Sequence, residues 1–324
     1  MSRILLTIFL ATLSFSGFAQ NAAFPTKPVR IVVGFPPGGG ADVVARIVAN
    51  KFSETLGQPG VVDNRAGASG NIAADFVARS PADGYTLYLA TASNGINAAA
   101  AVTGSMNLGY DIQKDLRPIV MLVRNQNVLV ANPKLPVSNL RELIQLAKSE
   151  PGKLNFGVMT AASQVAGELF RQMTKVDIVD IPYKGAAPVV TDLLGGQVEL
   201  AILDVAVVLP QIRAGKLKAL AVTSTKRLEG LPDVPTFAEA GVPGYEASGW
   251  LGLMAPADTP PAVVSRLREA ATKALAYPDV AARLSELGVT PAAGSSEEFA
   301  QFLRADVNKW AKVLRVGNIK LGGW

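Results

Sequence analysis

Apolar and polar positions alternate along this chain with two periods, one typical of strands and one typical of helices. β-branched or apolar runs at residues 29–33 and 200–203 predict buried strands. The residues after the first run carry apolar side chains four positions apart, which predicts an amphipathic helix ending at Gly57. Such patterns succeed one another almost throughout. We therefore expect an α/β fold with mostly parallel sheets flanked by helices.

A Pro-Pro-Gly-Gly-Gly loop joins the first predicted strand to its helix. A glycine loop at a helix start leaves backbone N–H groups unpaired at the positive end of the helix dipole, where anions bind. The candidate anion-binding residues are therefore Phe35, Pro36, Pro37, Gly38, Gly39 and Gly40. The alternative is a simple tight turn, for which glycine supplies positive φ. Asp42 is expected to cap the helix and not to contact the anion, because its negative charge would repel an anion.

Other predicted strands also end in small or polar loops, which extends the candidate site. In an open α/β sheet, loops at the carboxyl ends of strands line the ligand crevice. The further candidates are Ser69, Thr91, Ser93, Thr160, Ser163, Gly185, Ala186 and Asp204.

Four of these positions have simpler alternatives. Thr160 and Ser163 suit a helix N-terminus, with Ser163 the expected cap. The alternative at Gly185 is a simple turn between a strand and a helix, in which Lys184 is solvated as lysines usually are. Asp204 ends an apolar strand, where a carboxylate is costly unless paired. It either receives a ligand amine or hydroxyl, or caps a neighbouring turn.

The length of the chain favours two lobes, because about 300 residues exceed what one hydrophobic core comfortably serves. An extended stretch near residue 124 leads into a middle block, and a Pro/Gly-rich connector near residue 245 leads back. These two crossings predict a two-strand hinge. Lobe one is then residues 20–124 and 246–324, and lobe two is residues 125–245.

The N-terminal residues 1–19 have the pattern of a cleaved signal peptide. Arg3 is followed by a mostly apolar stretch and by Gly17-Phe18-Ala19, a small-x-small cleavage site. The apolar stretch is shorter than the roughly 20 residues that span a bilayer. We expect cleavage before Gln20 and a mature protein that is free in the periplasm.

Composition excludes several chemistries. The chain has no cysteine and no histidine, which removes disulfides, thiolate nucleophiles, imidazole bases and histidine metal ligands. No metal or cofactor is predicted. The formal net charge of +5 comes from scattered lysines and arginines, so no nucleic-acid surface is expected. The Pro-Pro-Gly-Gly-Gly loop lacks the Lys-Ser/Thr that follows the glycines of a P-loop. It also lacks the GxGxxG spacing of a dinucleotide-binding site.

Several blocks of the chain resemble, in order, the substrate-binding receptors of tripartite tricarboxylate transporters, the Bug receptors. The blocks are PVRIVV at 28–33, FPPGG at 35–39 with Asp42, DNRAGA at 63–68, DGYTL at 83–87, PYKG at 182–185, DLLGGQV at 192–198, LAVTS at 220–224, LPDVPT at 231–236, AEAG at 238–241 and PGYE at 243–246. The resemblance implies a type II-like periplasmic clamshell that binds small carboxylates and presents them to membrane permease subunits. It also implies that backbone N–H groups and bridging waters of the first loop hold the carboxylate.

The chain departs from this family pattern after residue 158. The loop there is shorter than in the family, and Gln164-Val165 stands where the family has His-Leu. We therefore expect this half of the pocket to select a different ligand from that of better-known relatives. A dicarboxylate, an amino acid and an aromatic acid all fit.

These features favour a solute receptor, expected as a monomer, over an enzyme. A ligand sensor of the same fold is the main alternative, because signalling and transport use the same closing motion. A secreted hydrolase that uses Ser69 or Asp204 is a remote one, since the chain has neither a GxSxG elbow nor a histidine base.

Overall fold

Two β-sheets, each covered by helices, form the molecule in this computed structural model, which describes residues 24–319 and residue 321. The predicted signal peptide lies outside the described residues. Among the residues described, no helix combines the length and the hydropathy needed to cross a membrane.

The first sheet has six strands in the order β11-β4-β10-β3-β1-β2. Its strands are β1 (Val29–Val33), β2 (Gly60–Asn64), β3 (Thr86–Thr91), β4 (Leu116–Asn125), β10 (Gly249–Pro256) and β11 (Val289–Pro291). The helices that accompany it in sequence are α1 (Gly40–Leu56), α2 (Asn71–Ala78), α3 (Ala92–Val102), α8 (Pro261–Leu275), α9 (Pro278–Glu286) and α10 (Ser296–Gly317). We call this part of the molecule the first lobe.

The second sheet has five strands in the order β7-β6-β8-β5-β9. Its strands are β5 (Asn127–Ala131), β6 (Asn155–Val158), β7 (Val179–Pro182), β8 (Leu200–Asp204) and β9 (Lys218–Val222). The helices between them are α4 (Leu140–Ser149), α5 (Ala161–Thr174), α6 (Ala186–Gly195) and α7 (Val205–Arg213). We call this part the second lobe. The predicted two-lobe α/β class is confirmed.

Both sheets are mixed, which corrects the expectation of mostly parallel sheets. In the first sheet β1 pairs in parallel with β2 and β3, but β10 runs antiparallel to both β3 and β4. In the second sheet β6 pairs in parallel with β7 and β8, while β5 is antiparallel to β8 and β9. The antiparallel strands β4, β5 and β10 lie where the chain passes between the sheets. The direction of these strands is set by the passage of the chain between the two sheets. The parallel strands, in contrast, are joined by β-helix-β crossovers.

The parallel strands position the candidate site. Because β1, β2 and β3 point the same way, their carboxyl ends lie at one edge of the first sheet. The carboxyl ends of β6, β7 and β8 share an edge of the second sheet in the same manner. We call these edges the first rim and the second rim.

The chain passes from one sheet to the other at Gln126. Asn125 is the last residue of β4, and Asn127 is the first residue of β5. The return runs through residues 223–248, between β9 and β10, which consist mainly of turns and bends.

Trp250 anchors the core of the first lobe. It is 1% exposed and packs edge-on against Phe299, with ring centroids 5.5 Å apart. Its Nε1 donates to Asp306 Oδ2 at 3.0 Å, and Trp310 Nε1 donates to the other carboxylate oxygen at 2.9 Å. Burial raises the pKa of Asp306, and these two hydrogen bonds oppose the rise.

Helix α10 also contacts the second lobe. The Gln172 side chain of α5 donates through Nε2 to the Val313 carbonyl of α10 at 2.9 Å. Helix α5 packs against α3 as well, and one apolar cluster includes Ile96 of α3, Phe170 of α5 and Leu314 of α10. The lobes therefore share apolar packing in addition to the two chain passages.

Two glycines meet beneath the first rim. A Cβ on Gly34 would collide with the Gly70 backbone. Gly70 itself has φ +89°, and a Cβ there would lie 2.9 Å from the Tyr88 hydroxyl oxygen and 3.2 Å from Asn94 Nδ2. Only glycine fits this approach of the β1 and β2 loops.

This packing predicts unequal effects of two alanine substitutions. Gly38 has φ +82° with nothing within 4 Å of an added Cβ, so Gly38→Ala carries only the strain of positive φ, about 1–2 kcal/mol. Gly70→Ala carries similar strain plus overpacking of about 1–3 kcal/mol. Urea denaturation should therefore give a clearly larger loss of unfolding free energy for Gly70→Ala. Equal losses would contradict the close packing.

Candidate functional site

All fourteen candidate residues lie at the two rims. The first rim carries the six residues of the β1–α1 loop, Ser69 after β2, and Thr91 and Ser93 at the junction of β3 and α3. The second rim carries Thr160 and Ser163 between β6 and α5, Gly185 and Ala186 between β7 and α6, and Asp204 at the end of β8.

The β1–α1 loop leaves helix α1 without a side-chain cap. Gly39 is the N-cap residue, with φ −75° and ψ 163°, and no side chain caps the helix start. The first helical hydrogen bond runs from the Val43 N–H to the Gly39 carbonyl at 3.0 Å. The N–H groups of Gly39, Gly40 and Ala41 have no hydrogen-bond partner within residues 24–319. Three donors are therefore available at a positive helix end.

Asp42 fixes this loop. It is 2% exposed and accepts the Gly38 N–H at 2.9 Å, so that N–H is not free for a ligand. Arg46 donates to both Asp42 oxygens at 2.9 Å, and Asn64 Nδ2 donates at 2.9 Å. Burial opposes ionisation, but the hydrogen bonds from Arg46, Gly38 and Asn64 outweigh it and hold the pKa of Asp42 below its ordinary value.

The rest of the first rim contains two buried amides that the sequence reasoning did not single out. Asn94 is 0% exposed, and its Oδ1 accepts from the Tyr88 hydroxyl and from the Thr91 N–H, both at 2.9 Å, and from the Thr91 hydroxyl at 3.1 Å. Asn97 donates through Nδ2 to Asn71 Oδ1 at 3.0 Å. Within the described part of the chain, Asn94 Nδ2 and Asn97 Oδ1 are buried without a partner. Two asparagines three positions apart in a helix made mainly of alanine and other small or apolar residues were the signal that the sequence offered.

These contacts bring the first-rim candidates together. The Phe35 ring lies 3.5 Å from the position of a Cβ on Gly70, which follows Ser69 directly. The Ser69 carbonyl faces Asn97 Nδ2 at 3.5 Å. The Thr91 hydroxyl is engaged by Asn94, and Ser93 is buried in the first turn of α3.

On the second rim, Thr160 and Ser163 serve the start of α5. Thr160 is the N-cap and its Oγ1 accepts the Ser163 N–H at 3.2 Å, whereas Ser163 Oγ accepts the Thr160 N–H at 3.0 Å and the Met159 N–H at 2.9 Å. The expectation that Ser163 is the cap is therefore corrected. Ser163 sits at the third helical position and completes a capping box. Gln164 Oε1, one residue further, is buried without a partner in the described part.

Helix α6 begins like α1. Its N-cap, Gly185, has φ +112°, a conformation that favours glycine, and no side chain caps the helix. Ala186 is the first helical residue. Lys184 is exposed, as predicted. A second uncapped helix start therefore lies on the opposite rim.

Asp204 is the N-cap of α7, and its Oδ1 accepts the Ala206 N–H at 3.0 Å. Of the two roles expected for Asp204, the structure shows that of a cap. Its other oxygen, Oδ2, lies 3.4 Å from Asn125 Nδ2 and 4.0 Å from the position of a Cβ on Gly40. Burial raises the pKa of Asp204 to about 6, and the Ala206 hydrogen bond opposes the rise.

The two rims approach each other where the Asp204 side chain lies close to Gly40. A residue of the second lobe thereby faces the uncapped start of α1 in the first. A second contact across the lobes lies nearby, where a Cβ on Gly288 would be 3.3 Å from the Val205 side chain. Within the described residues, no group of three or more acidic side chains is arranged to hold a metal ion.

Comparison with known proteins agrees with this geometry. A sequence profile described as "Tripartite tricarboxylate transporter family receptor" matches residues 44–319. The chain belongs to this receptor family. The resemblance stated from the sequence motifs is confirmed.

Individual relatives of this receptor cover nearly its whole length. Protein BugT of Bordetella pertussis (strain Tohama I) is 39% identical over an alignment of 325 positions that covers 99% of each chain. The solved structure described as "R. palustris Rpa4515 with adipate" is 39% identical, with a TM-score of 0.82, over 91% of this chain and 99% of the other. MatC from Rhodopseudomonas palustris, with bound malate, is 33% identical, with a TM-score of 0.80, over 90% and 100%.

The geometry of Asp204 predicts how the stability of the receptor varies with pH. The pKa of an aspartate in an unfolded chain is about 3.9, so the folded protein, with a pKa of about 6, binds the proton more tightly. This stabilising contribution is complete below about pH 4 and is lost as the pH rises through about 6. Two pKa units correspond to about 3 kcal/mol.

Asp204→Asn retains a good helix cap and carries no charge. We therefore expect the variant to be more stable than the wild type at pH 7.5, with the difference narrowing as the pH falls to 4. Urea unfolding of both proteins across this range measures the difference. A difference that does not vary with pH would show that Asp204 is well solvated.

Proposed function

We propose that this receptor captures a small organic carboxylate between its two lobes and delivers it to the membrane permease subunits of a tripartite transporter. The observation that carries the proposal is the uncapped start of α1, whose free N–H groups face the second lobe across Asp204. The adipate and malate in the two related structures are consistent with a carboxylate ligand.

The proposed binding mode uses backbone donors in place of a basic side chain. One carboxylate oxygen accepts from the N–H groups of Gly39, Gly40 and Ala41, where the dipole of α1 adds favourable potential. The start of α6 at Gly185 and Ala186 offers a similar donor set on the other lobe. Ser69, Ser93, Thr160 and Ser163 line the rims between them, and Phe35 to Gly38 shape the first loop. A hydrogen bond to a charged group contributes roughly 1.5–3 kcal/mol.

We further propose that the two lobes close around the ligand. Lobe one would comprise residues 20–124 and 246–324, and lobe two residues 125–245. The passage between the sheets at Gln126 and the return near residue 245 would be the hinge. Closure would bring both rims onto the ligand and exclude water, which strengthens each hydrogen bond.

The remaining parts of the proposal concern location and chemistry. Cleavage before Gln20 would release the receptor into the periplasm as a monomer. We propose no catalytic role, since Ser69 has no imidazole base in the chain and Asp204 caps a helix. Uptake assays in a strain lacking the receptor separate transport from signalling. Unchanged uptake of the bound acid would favour a sensor.

A ligand panel tests the proposal. It contains succinate, malate, glutarate, adipate, aspartate, glutamate and benzoate. A ligand that binds only the native state stabilises it by RT ln(1 + [L]/Kd), about 2.7 kcal/mol at a hundredfold excess over Kd. We expect at least one member to raise the melting temperature and to bind at one site in calorimetry. Failure of every member would contradict the proposal.

Substitutions at Gly39 test the backbone donors directly. Because Gly39 already has φ −75°, proline fits this dihedral angle, removes the N–H and places its ring Cδ where the N–H hydrogen was. The loss of one charged hydrogen bond predicts about tenfold weaker binding or more for Gly39→Pro. Gly39→Ala keeps the N–H, and its Cβ would meet only the Pro36 carbonyl at 3.6 Å. It should weaken binding far less.

Lys184→Ala is the control for a charge-paired pocket. Lys184 is exposed, so its removal should change affinity by much less than tenfold. Titration calorimetry with the acid found in the panel compares all three variants after circular dichroism has shown them folded. Normal binding by Gly39→Pro together with no binding by Lys184→Ala would overturn the backbone mechanism.

A further inference from the structure

Asp204 is a half-buried carboxylate that faces the proposed anion site. Its Oδ1 accepts the Ala206 N–H, whereas Oδ2 points toward Gly40 at the start of α1. The nearest side chain to Oδ2 in the described hydrogen-bond network is Asn125, whose Nδ2 lies at the long distance of 3.4 Å. Oδ2 thus lacks a strong donor.

Within residues 24–319, no lysine or arginine of the first lobe forms an ion pair with Asp204. Arg46 on α1 is bound to Asp42, and the guanidinium of Arg124, near the end of β4, lies over the Phe302 ring at 4.7 Å. At the end of α9, Arg283 pairs with Glu286 at 2.7 Å. These charges are neutralised or turned elsewhere.

The ion pairs of the second lobe do not include Asp204 either. Strands β5, β6 and β8 carry no basic residue. On α5, Arg171 pairs with Glu168 at 2.9 Å and with Asp180. On α6, Asp192 accepts from the Tyr183 hydroxyl at 2.7 Å. Arg213 is nine residues further along α7, about 13 Å along the helix axis.

A bound carboxylate would add a second negative charge beside this one. An anion held by the N–H groups of Gly39 and Gly40 would lie at the start of α1 that Asp204 approaches, because Oδ2 is 4.0 Å from the position of a Cβ on Gly40. Two carboxylates that share a desolvated site do not both stay ionised. Resting on the function proposed above, we infer that the receptor takes up one proton on Asp204 Oδ2 when it binds its carboxylate.

The proton changes the role of Oδ2 from acceptor to donor. The Asp204 carboxylate takes one proton from solvent, and the resulting O–H donates to an oxygen of the ligand. The Oδ1 atom continues to accept the Ala206 N–H, so the cap of α7 is kept. When the ligand leaves, Oδ2 returns the proton to solvent.

Asn125 accommodates either protonation state. With Asp204 ionised, its Nδ2 faces Oδ2. Its Oδ1 is buried without a donor in the part of the chain described. When Oδ2 carries the proton and donates it to the ligand, a remaining lone pair of Oδ2 still accepts from Asn125 Nδ2, so the amide keeps its orientation. Burial alone already raises the pKa of Asp204 to about 6, and a neighbouring anion raises it further.

Titration calorimetry in two amine buffers of different ionisation enthalpy, triethanolamine and Tris, measures the proton count without adding an anion that competes for the helix start. The probes are adipate, malate and aspartate between pH 7 and 8.5, where their carboxyl groups stay ionised. For an amine-free acid that binds, we expect close to one proton taken up per ligand at pH 7.5. Its affinity should fall about tenfold for each pH unit, because most of the free receptor carries ionised Asp204 at these pH values.

Two variants locate the proton. Asp204→Asn should take up no proton and bind with an affinity that does not vary with pH. Asp233→Asn, at an exposed position of the same lobe, makes the same change in net charge and should retain both the uptake and the pH dependence. If Asp204→Asn does not fold, the carboxyl ¹³C shift of Asp204 in the wild type, titrated with and without ligand, reports the same protonation.

The possible results separate the two proposals. Binding of adipate or malate without proton uptake would overturn the inference and leave the carboxylate receptor intact. Preferred binding of aspartate without uptake would also overturn it, because the ligand ammonium would then neutralise Asp204. If neither the three probes nor any other acid in the panel binds, that result would contradict the proposed function and the inference together.

Discussion

The hydrogen bond from the Gly38 N–H to the Asp42 carboxylate fixes the β1–α1 loop, on which the candidate site depends. Asp42 is buried, and Arg46 and Asn64 satisfy its charge from within the first lobe. Asn64 also donates to the Phe35 carbonyl at 3.1 Å, which ties the start of the loop to the same network. The loop thus closes through one N–H and leaves the next three free. An anion there meets a preorganised donor set without ordering a long side chain.

Packing beneath the loop explains why it is held so closely. The parallel order of β2, β1 and β3 brings three strand ends to one rim, and the Gly34–Gly70 approach sets the β1 and β2 loops against each other. Tyr88 and Asn94 form the polar floor under that approach. The second lobe repeats the plan with β6, β7 and β8, and Asp204 reaches from it toward Gly40. The two rims are thus built alike and lie on either side of the cleft between the lobes.

Local signals in the sequence predicted much of this arrangement. The β-branched run predicted β1, and the glycine loop predicted the start of α1. Both depend on neighbouring residues alone. Strand direction at β4 and β10 depends on pairing between residues more than 100 positions apart, and periodicity does not carry that information.

The details of the site were harder to predict for the same reason. Thr160 and Ser163 both suit a helix start, and only the backbone geometry shows that Thr160 is the cap. The burial of Asn94 and Asn97 follows from the packing of α3 against α5 and α10. The approach of Asp204 to Gly40 arises only when both lobes are folded and joined. The charge environment of Asp204 therefore had to be read from the structure.

A crystal structure of the receptor with the acid found in the ligand panel tests the central claim most directly. The account predicts a carboxylate oxygen within about 3 Å of the Gly39 and Gly40 nitrogens. It also predicts Asp204 on the opposite side of the ligand. A ligand whose carboxylate is paired with a lysine or arginine side chain, away from the start of α1, would contradict it.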